Sequence, residues 1–334
     1  MKRETFVHYA DGPRLLADIG GTHARFALET GPQQIEAIWV AACDAYPTLG
    51  AALVHYLAQP ATVAAGGYQA RLAGIAIANP IDGDWVRMTN HHWSFSIEAV
   101  SSQFSLKSLV VVNDFTALAS ALPYLAPEHM RQIGGGAARA HGVIGLVGAG
   151  TGLGVSGLVP AGERWIALDS EGGHATFAPM SEREIDILRY ARRYYDHVSS
   201  ERLVSGIGLD LVYRALSERA RSEPQHLVAP EIVERGLRGH CPVCAETLDV
   251  FCEMLGTVAG NVALTLGAKG GVYVGGGIVP RMGEFFERSG FRARFEQKGR
   301  FADYLKQIPT YVITEEYPAL IGMSAMLSAG SPMI

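Results

Sequence analysis

The chain has 334 residues, 48% hydrophobic and 18% charged, which is the composition of a globular protein with enough apolar material for two domains. Its net charge of −5 and isoelectric point near 6.1 exclude a global basic field that would attract nucleic acid or an anionic membrane. Four scattered cysteines, the lack of an apolar run of ~18 residues and a polar start unlike a secretory signal predict a cytoplasmic protein.

The first predicted elements form a β-hairpin. Apolar residues at 15–19 and 24–28 have strand composition, and GGTH at residues 20–23 makes the tight connection between them. A P-loop sequence does not occur, and a dinucleotide-binding turn would have to lead into a helix. Glycine amides can form a nest for an anion, and the threonine hydroxyl adds a donor. The pattern is typical of a phosphate site with Asp18 beside it, or of a hairpin without chemistry.

A later apolar run, LVVVNDF at residues 109–115, ends in Asn113 and Asp114 and precedes helical spacing at residues 115–124. Ligands bind at the carboxyl ends of strands in open α/β sheets, so these two side chains predict a functional position. The structural alternative is that Asp114 caps the helix that begins at Thr116.

The strand–turn–strand design returns in GLVGAGTGLGVSGLV at residues 145–159. A GxGxxG string at residues 152–157 leads into Leu-Val-Pro, which cannot open a helix, so we reject dinucleotide binding there. A third glycine cluster, residues 270–282, predicts a short strand, a triglycine turn where a flat purine can approach the backbone, and a helix begun near Pro280. The three clusters together predict a nucleotide site.

Two further segments, residues 181–195 and 244–268, have helical apolar spacing. Glycines at positions 256, 260 and 267 inside the second segment indicate close helix packing rather than a break.

Metal sites are not expected from the pattern of cysteines and histidines. CPVC at residues 241–244 lacks a second cysteine pair, and adjacent His91 and His92 would point to opposite faces of a strand. We therefore predict no zinc.

The motifs, in this order, resemble the family of bacterial glucokinases, which are ATP-dependent hexokinase-type sugar kinases of the actin-like ATPase superfamily. The resemblance extends from residue 16 to about residue 322 through ADIGGT, NPIDGDWVRMTNHHWSFS, VVNDFTALA, GAGTGLGV, EGGHATFAP, ERLVSGIGL, GGVYVGGGIVPR and SGFRARFEQKGRF. The cysteine-rich zinc motif of the related repressor-type sugar kinases is absent, which favours the glucokinase branch.

The resemblance implies an α/β, two-domain actin-like ATPase (ribonuclease H-like) fold with the active site in the interdomain cleft. It implies a small domain at residues 1–124 joined by a C-terminal helix at about 315–334, and a large domain at residues 125–314.

The implied reaction transfers the γ-phosphate of Mg-ATP to the 6-hydroxyl of glucose, giving glucose 6-phosphate and ADP, with Asp114 as general base. The implied glucose-binding residues are Asn90, Asn113, Asp114, Glu171, His174 and Glu201. The implied ATP-binding residues are Asp18, Gly20, Gly21, Thr22, Gly150, Thr151, Gly152, Gly275, Gly276 and Gly277. Asp18 is also the expected neighbour of Mg²⁺.

Some of these positions have structural alternatives or depart from the family. Without the resemblance, Glu201 is typical of a charge at a helix terminus and His174 of a satisfied polar residue in a core. His23 stands where the family usually has asparagine, which affects the side-chain contact at the first turn but not its backbone amides.

Other functions remain open at this point. A kinase of another hexose, such as mannose, fructose or an N-acetylated sugar, would carry similar motifs, and an actin-like ATPase would share the nucleotide site without a sugar acceptor. A sugar-sensing transcription regulator needs a helix-turn-helix module, for which the residues before the first strand leave no room. The expected partners are glucose and ATP, without nucleic acid or membrane, in a homodimer.

Overall fold

The computed structural model describes Tyr9 and residues 12–89 and 91–329. Contacts between residues divide the chain into two compact units, each described separately. Unit 1 comprises Met1–Leu125 and Glu315–Ile334, and unit 2 comprises Ala126–Thr314. Strands and helices are numbered along the whole chain.

Unit 1 has a five-stranded sheet and a small two-stranded sheet. Its strands are β1 (Arg14–Ile19), β2 (His23–Gly31), β3 (Gln34–Ala42), β4 (Leu72–Ile77), β5 (Trp85–Arg87), β6 (Ser94–Ser96) and β7 (Ser108–Asn113). Its helices are α1 (Leu49–Leu57), α2 (Pro60–Ala64), α3 (Ile97–Gln103), α4 (Asp114–Ala121) and α13 (Pro318–Ser328).

The five-stranded sheet has the order β3-β2-β1-β4-β7, in which β1, β4 and β7 are parallel and β2 and β3 are antiparallel additions. Residues 15–17 of β1 are all apolar, without alternation, because both faces of the sheet are covered. Leu15 lies in the hydrophobic cluster that includes α1, and Leu16 packs with Leu320 and Met323 of α13 on the other face.

The register of the parallel strands sets one edge of this sheet. Ile19 pairs with Ile77, and Ile77 pairs with Asn113, so β1, β4 and β7 end side by side. We call this edge, with the turns that follow the three strands, edge 1.

Unit 2 has a six-stranded sheet and eight helices in its described residues. The strands are β8 (Met130–Ile133), β9 (Ile144–Ala149), β10 (Leu153–Ala161), β11 (Arg164–Leu168), β12 (Val272–Gly275) and β13 (Thr310–Ile313). The helices are α5 (Glu182–Ala191), α6 (Gly206–Arg219), α7 (Ala229–Leu237), α8 (Pro242–Leu266), α9 (Val279–Met282), α10 (Glu284–Arg288), α11 (Phe291–Glu296) and α12 (Ala302–Lys306).

The six-stranded sheet has the order β11-β10-β9-β12-β13-β8, with β9, β12 and β13 parallel. Gly148 of β9 pairs with Gly275 of β12, so the turns after these two strands lie next to each other. We call this edge of the sheet, with those turns, edge 2.

Helix α8 is the central helix of unit 2, and its glycines act in two ways. A Cβ on Gly256 or Gly260 would collide with the carbonyl oxygens of Phe291 and Phe295, so α11 packs directly on the α8 backbone. The prediction of close packing is confirmed at these two positions. It is wrong for Gly267, which has φ +64° and ends the helix as its left-handed cap.

Helix α8 is also the one helix in the described part of the chain that is long and apolar enough to cross a membrane. Of its most apolar stretch, 78% is buried inside the protein. Packing in the unit 2 core therefore accounts for its composition.

The predicted helix ends differ from the observed ones by a few residues. Helix α5 begins after its cap Ser181, as expected, but ends at Ala191 rather than Tyr195. Helix α4 ends at Ala121 and continues as a short 3₁₀ turn, Leu122–Tyr124.

Candidate active site

The first glycine hairpin lies at edge 1, and its prediction is confirmed. Strands β1 and β2 are antiparallel, and the Gly20 N–H donates to the His23 carbonyl at 3.0 Å to close the turn. Asp18 faces Arg25 across the hairpin, with Arg25 Nη1 3.0 Å from Asp18 Oδ2. Burial raises the pKa of the Asp18 carboxyl above its ordinary value, and the Arg25 guanidinium offsets part of that rise.

Asn113 and Asp114 also lie at edge 1, where β7 leads directly into α4. Asn113, not Asp114, is the cap of this helix, because its Oδ1 accepts the N–H groups of Phe115 at 2.8 Å and Thr116 at 3.4 Å. The alternative in which Asp114 caps the helix from Thr116 is therefore wrong. Asp114 is the first helical residue, and its Oδ1 accepts the Phe115 N–H at 2.9 Å. The N-terminus of α4 thus orients this carboxylate.

Sequence reasoning missed Asn79 at the same edge. This residue follows β4 and is 9% exposed. Its Nδ2 donates to the Pro80 carbonyl at 2.8 Å, its Oδ1 accepts the Thr89 N–H at 3.2 Å, and its carbonyl accepts from Asn113 Nδ2 at 3.5 Å. Asn79 therefore links the end of β7 to the segment just before position 90. Its sequence signal is an Asn-Pro turn directly after an apolar strand.

Asn90, the predicted glucose ligand in this segment, lies outside the described residues.

The second glycine hairpin lies at edge 2 and is confirmed as a strand–turn–strand unit. The Gly150 N–H donates to the Gly152 carbonyl at 2.8 Å, and the Gly206 N–H at the start of α6 donates to the Gly150 carbonyl at 2.8 Å. Thr151 is exposed at the tip of the turn. Because β10 follows the turn as a strand, the prediction that the GxGxxG string does not open a helix is also confirmed.

The third glycine cluster lies beside this hairpin. Gly276 has φ +81°, and a Cβ there would collide with the backbone of Ala149, the last residue of β9. The Ile278 N–H donates to the Ala149 carbonyl at 3.2 Å. The strand, the glycine turn and the helix after it were all predicted. At their glycine positions, the two glycine turns of edge 2 present backbone without side chains.

Three predicted sugar-binding side chains meet at edge 2. His174 Nε2 lies 3.8 Å from Glu171 Oε2 and 3.7 Å from Glu201 Oε1. Glu201 Oε2 accepts the Leu153 N–H at 3.0 Å, and the Glu201 N–H donates to the Gly173 carbonyl at 2.9 Å. We call Glu171, His174 and Glu201 the acid–histidine cluster.

The structural alternatives for two cluster members are wrong. The His174 side chain is 59% exposed, so it is not a residue of the core. Glu201 lies in a turn that precedes α6 rather than at a helix terminus.

His91 and His92 do not point to opposite faces of a strand, because they lie in a bend with ring centroids 4.1 Å apart. With Asp44 they form the one group of at least three possible metal ligands among the described residues, with ligand atoms within 4.8 Å of one another. His91 Nε2 lies 3.0 Å from Asp44 Oδ1, and His91 Nδ1 accepts the Trp93 N–H at 3.3 Å. In the neutral tautomer of His91 these two hydrogen bonds place the ring proton on Nε2.

Each unit thus carries a glycine hairpin at the carboxyl edge of its sheet, and each edge also holds carboxylates. This is the actin-like ATPase fold of the sugar kinases. A glucokinase crystal structure from an Antarctic psychrotroph matches the chain with a TM-score of 0.85 at 37% identity, covering 95% of this chain and 99% of that one. A family model described as Glucokinase matches residues 15–330, and the chain belongs to the glucokinase family.

Two relatives illustrate the similarity. The chain is 59% identical over 321 residues to the "Bifunctional protein glk" of Burkholderia thailandensis, covering 96% of this chain and 49% of that protein. It is 55% identical over 316 residues to a glucokinase of Chromobacterium violaceum, covering 95% and 89%. The chain spans about half the length of the bifunctional relatives it matches.

Proposed function

We propose that this protein is a glucokinase that transfers the γ-phosphate of ATP to the 6-hydroxyl of glucose, forming glucose 6-phosphate and ADP. The observation that carries the proposal is the acid–histidine cluster next to a glycine hairpin, in a member of the glucokinase family. A nucleotide hydrolase needs the hairpin but has no use for a group of side chains that binds hydroxyls.

The chemistry of the cluster suits an uncharged ring of hydroxyls. Carboxylate oxygens of Glu171 and Glu201 accept sugar O–H groups, and the His174 ring can accept one hydrogen bond and donate another. A sugar that lacks a matching hydroxyl leaves a charged acceptor unpaired, which is the basis for selecting one hexose over another. Gly172 and Gly173, between the acid and the histidine, pack against β10, where a Cβ would collide with Val155 and with the Leu153 carbonyl.

Asp114 is proposed as the general base. The sugar 6-oxygen attacks the γ-phosphorus, the bond from that phosphorus to the β-bridging oxygen breaks, and the hydroxyl proton passes to the Asp114 carboxylate while ADP leaves. The Phe115 N–H at the start of α4 orients the Asp114 carboxylate for this proton. Asn113 contributes the second hydrogen of its NH₂ group, because its side-chain oxygen is used by the α4 cap and its first NH₂ hydrogen bonds the Asn79 carbonyl.

The glycine turns are proposed to bind the phosphates and the adenosine. The turns at 20–22 and 150–152 present backbone N–H groups and a threonine hydroxyl to the phosphates, and the turn at 275–277 offers bare backbone to the purine.

Asp18 fits a Mg²⁺ ion that keeps most of its water. Arg25 occupies Asp18 Oδ2, which leaves one carboxylate oxygen, and a single carboxylate together with nucleotide phosphates is a usual protein contribution to bound Mg²⁺. When bound with ATP, the ion neutralises charge on the transferring phosphate.

The remaining proposals concern the whole protein. Unit 1 is proposed as the small domain and unit 2 as the large domain of the kinase. A cytoplasmic location and a homodimer remain predictions. Sedimentation of the purified protein tests the homodimer.

A coupled assay tests the function. ADP release from Mg-ATP is followed with glucose, with mannose, fructose or an N-acetylated hexose, and without sugar, and the sugar product is identified. Turnover that requires glucose and yields glucose 6-phosphate is the expected result. A higher kcat/KM with another hexose would replace glucose as the proposed substrate. Rapid ADP release without sugar would overturn the kinase assignment.

A further inference from the structure

The CPVC sequence at the start of α8 forms a thiol pair whose geometry the proposed function does not use. Cys241 is the N-cap of the helix, Pro242 is its first residue, and the Cys244 N–H donates to Cys241 Sγ at 3.3 Å. Residues three apart in the first turn face the same side of a helix, so both sulfurs lie on one face.

The two cysteines differ in access to solvent. Cys43, Cys244 and Cys252 are buried, whereas Cys241 is partly exposed, so an external reagent reaches Cys241 first. Burial and the hydrogen bond with Cys241 raise the pKa of the Cys244 thiol to about 12. Cys241 therefore has the position of an attacking sulfur, and Cys244 that of a buried sulfur that reacts second.

A zinc site does not explain the pair. A structural zinc needs four ligands, and no third histidine, cysteine or carboxylate joins these two sulfurs in a cluster within the part of the chain that the structure describes. A capping role explains it no better, because serine or asparagine caps a helix more strongly than a thiol and needs no second cysteine.

The amides at this helix start suit a reaction at Cys241. The Cys244 N–H, which donates to Cys241 Sγ, stabilises negative charge on that sulfur while it attacks or leaves a disulfide. Helix α8 supplies a long row of aligned peptides behind this N–H.

We propose that Cys241 and Cys244 form a reversible disulfide by thiol–disulfide exchange, with a disulfide as the oxidising partner. Cys241 Sγ, as thiolate, attacks one sulfur of the partner disulfide, forms a mixed disulfide and releases the first partner thiolate. Cys244 then loses its proton to solvent and attacks Cys241 Sγ, which forms the internal disulfide and releases the second partner thiolate. Two electrons pass from the cysteine pair to the partner, and an external dithiol reverses the sequence.

The first experiment exposes the folded chain to excess oxidised glutathione, stops exchange with acid, and alkylates the remaining thiols after denaturation. Peptide mass spectrometry is expected to find a Cys241–Cys244 disulfide, with Cys43 and Cys252 fully alkylated. The same experiment is repeated with the disulfide of a thioredoxin-type protein as oxidant, and the two oxidation rates are compared. The oxidant that forms the internal disulfide faster indicates whether the partner is a protein or a small molecule. Alkylation of Cys241 and Cys244 to the same extent with and without either oxidant overturns the proposal.

Three variants assign the order of the two sulfurs. Cys244→Ser is expected to stop at a mixed disulfide between glutathione and Cys241, and Cys241→Ser to leave Cys244 unmodified in the folded protein. Serine is itself a preferred N-cap, so Cys241→Ser keeps the start of α8. Cys252→Ser is the matched control, since that buried thiol lies in the unit 2 core beside the Met282 sulfur and its replacement should leave exchange unchanged. Mixed disulfide on Cys244 in the Cys241→Ser protein, or wild-type protein that remains a mixed disulfide, overturns the assigned roles.

Discussion

At edge 1 the acid beside the glycine turn belongs to the hairpin itself, since Asp18 is paired with Arg25 only seven positions away. At edge 2 the acid beside the turn is Glu201, which reaches the Leu153 N–H from 48 positions further along the chain. The two hairpins therefore share a backbone design, but charge is supplied locally at one and by a distant segment at the other.

The carboxylates of the two edges also differ in how firmly they are held. Arg25 fixes Asp18, and the α4 N-terminus orients Asp114. At edge 2 the Glu171 side chain is 65% exposed, and Glu201 at 28% is the better-held acid of the cluster. The edge 1 carboxylates are therefore held by groups next to them, whereas the acids of the acid–histidine cluster are more exposed. The comparison predicts that changes at edge 1 act on the chemical step and changes at edge 2 act on binding.

The largest effect is expected at edge 1, from Asp114→Asn. Removal of the proton acceptor should lower kcat by about a thousandfold, because general-base catalysis contributes ~10²–10⁴. Glucose binding, measured by calorimetry, should change little, because asparagine keeps the size and most hydrogen-bonding capacity of the residue. A kcat within tenfold of wild type would place the base elsewhere.

At edge 2, Glu201→Gln should raise the KM for glucose roughly 10- to 100-fold, since a hydrogen bond to a charged group contributes ~1.5–3 kcal/mol. Glu171→Gln tests the more exposed acid of the same cluster and should also raise KM. Initial rates over a glucose series give both values. Unchanged apparent affinity in either variant removes that residue from the sugar site.

Gly152→Ala and Gly150→Ala form a matched pair within the second hairpin. A Cβ on Gly152 would collide with the Glu201 carboxylate, whereas a Cβ on Gly150 meets nothing within 4 Å. Both variants keep their backbone N–H groups. We expect Gly152→Ala to weaken the apparent affinity for glucose roughly tenfold at saturating ATP, because overpacking beside Glu201 costs ~1–3 kcal/mol, and Gly150→Ala, which lies in the proposed phosphate turn, to leave the KM for glucose near that of wild type. Equal losses in steady-state assays would show that the Glu201 contact is not the cause.

The smallest effect is on stability and depends on pH. Burial raises the pKa of the Asp18 carboxyl in the folded protein above its ordinary value. Ionisation of Asp18 at neutral pH therefore lowers the free energy of unfolding. This destabilisation disappears as pH falls to ~4, where the carboxyl is protonated in both the folded and the unfolded state. Asp18→Asn should therefore unfold at slightly higher urea concentration than wild type at pH 7, with a difference that shrinks on acidification.

Asp84→Asn is the control of opposite sign. Hydrogen bonds from Ser96 and from the Glu98 N–H lower the pKa of Asp84, so its stabilisation is present at neutral pH and lost in acid. This variant should be less stable than wild type at pH 7, with the gap closing at low pH. A stability difference for Asp18→Asn with the same sign as that of Asp84→Asn would contradict the cost assigned to the buried acid.

Sequence patterns predicted the local features of both edges. The two hairpins, the strand that ends at Asn113 and the triglycine turn after β12 follow from apolar runs interrupted by glycine or by a polar pair, and the structure has each of them. These features depend on neighbours only a few positions apart, which is the information that a single sequence carries.

Errors arose where a distant or competing contact decides. His91 and His92 would alternate in a strand, but the Asp44 and Trp93 hydrogen bonds hold them in a bend. Asparagine and aspartate are equally good N-cap residues, so the sequence does not choose between Asn113 and Asp114. The direct passage from β7 into α4 makes Asn113 the N-cap.

The sequence by itself determined the α/β class, the glycine turns, the family resemblance and the identity of the candidate side chains. Only the tertiary structure decided that Glu201 meets the second hairpin and His174, and only it added Asn79, whose main-chain carbonyl accepts from the Asn113 side chain. Hydrophobic alternation and turn chemistry act within a few residues and can be read along the chain. Contacts between segments tens of residues apart depend on strand register and helix packing, which become defined only when the whole core of a unit forms.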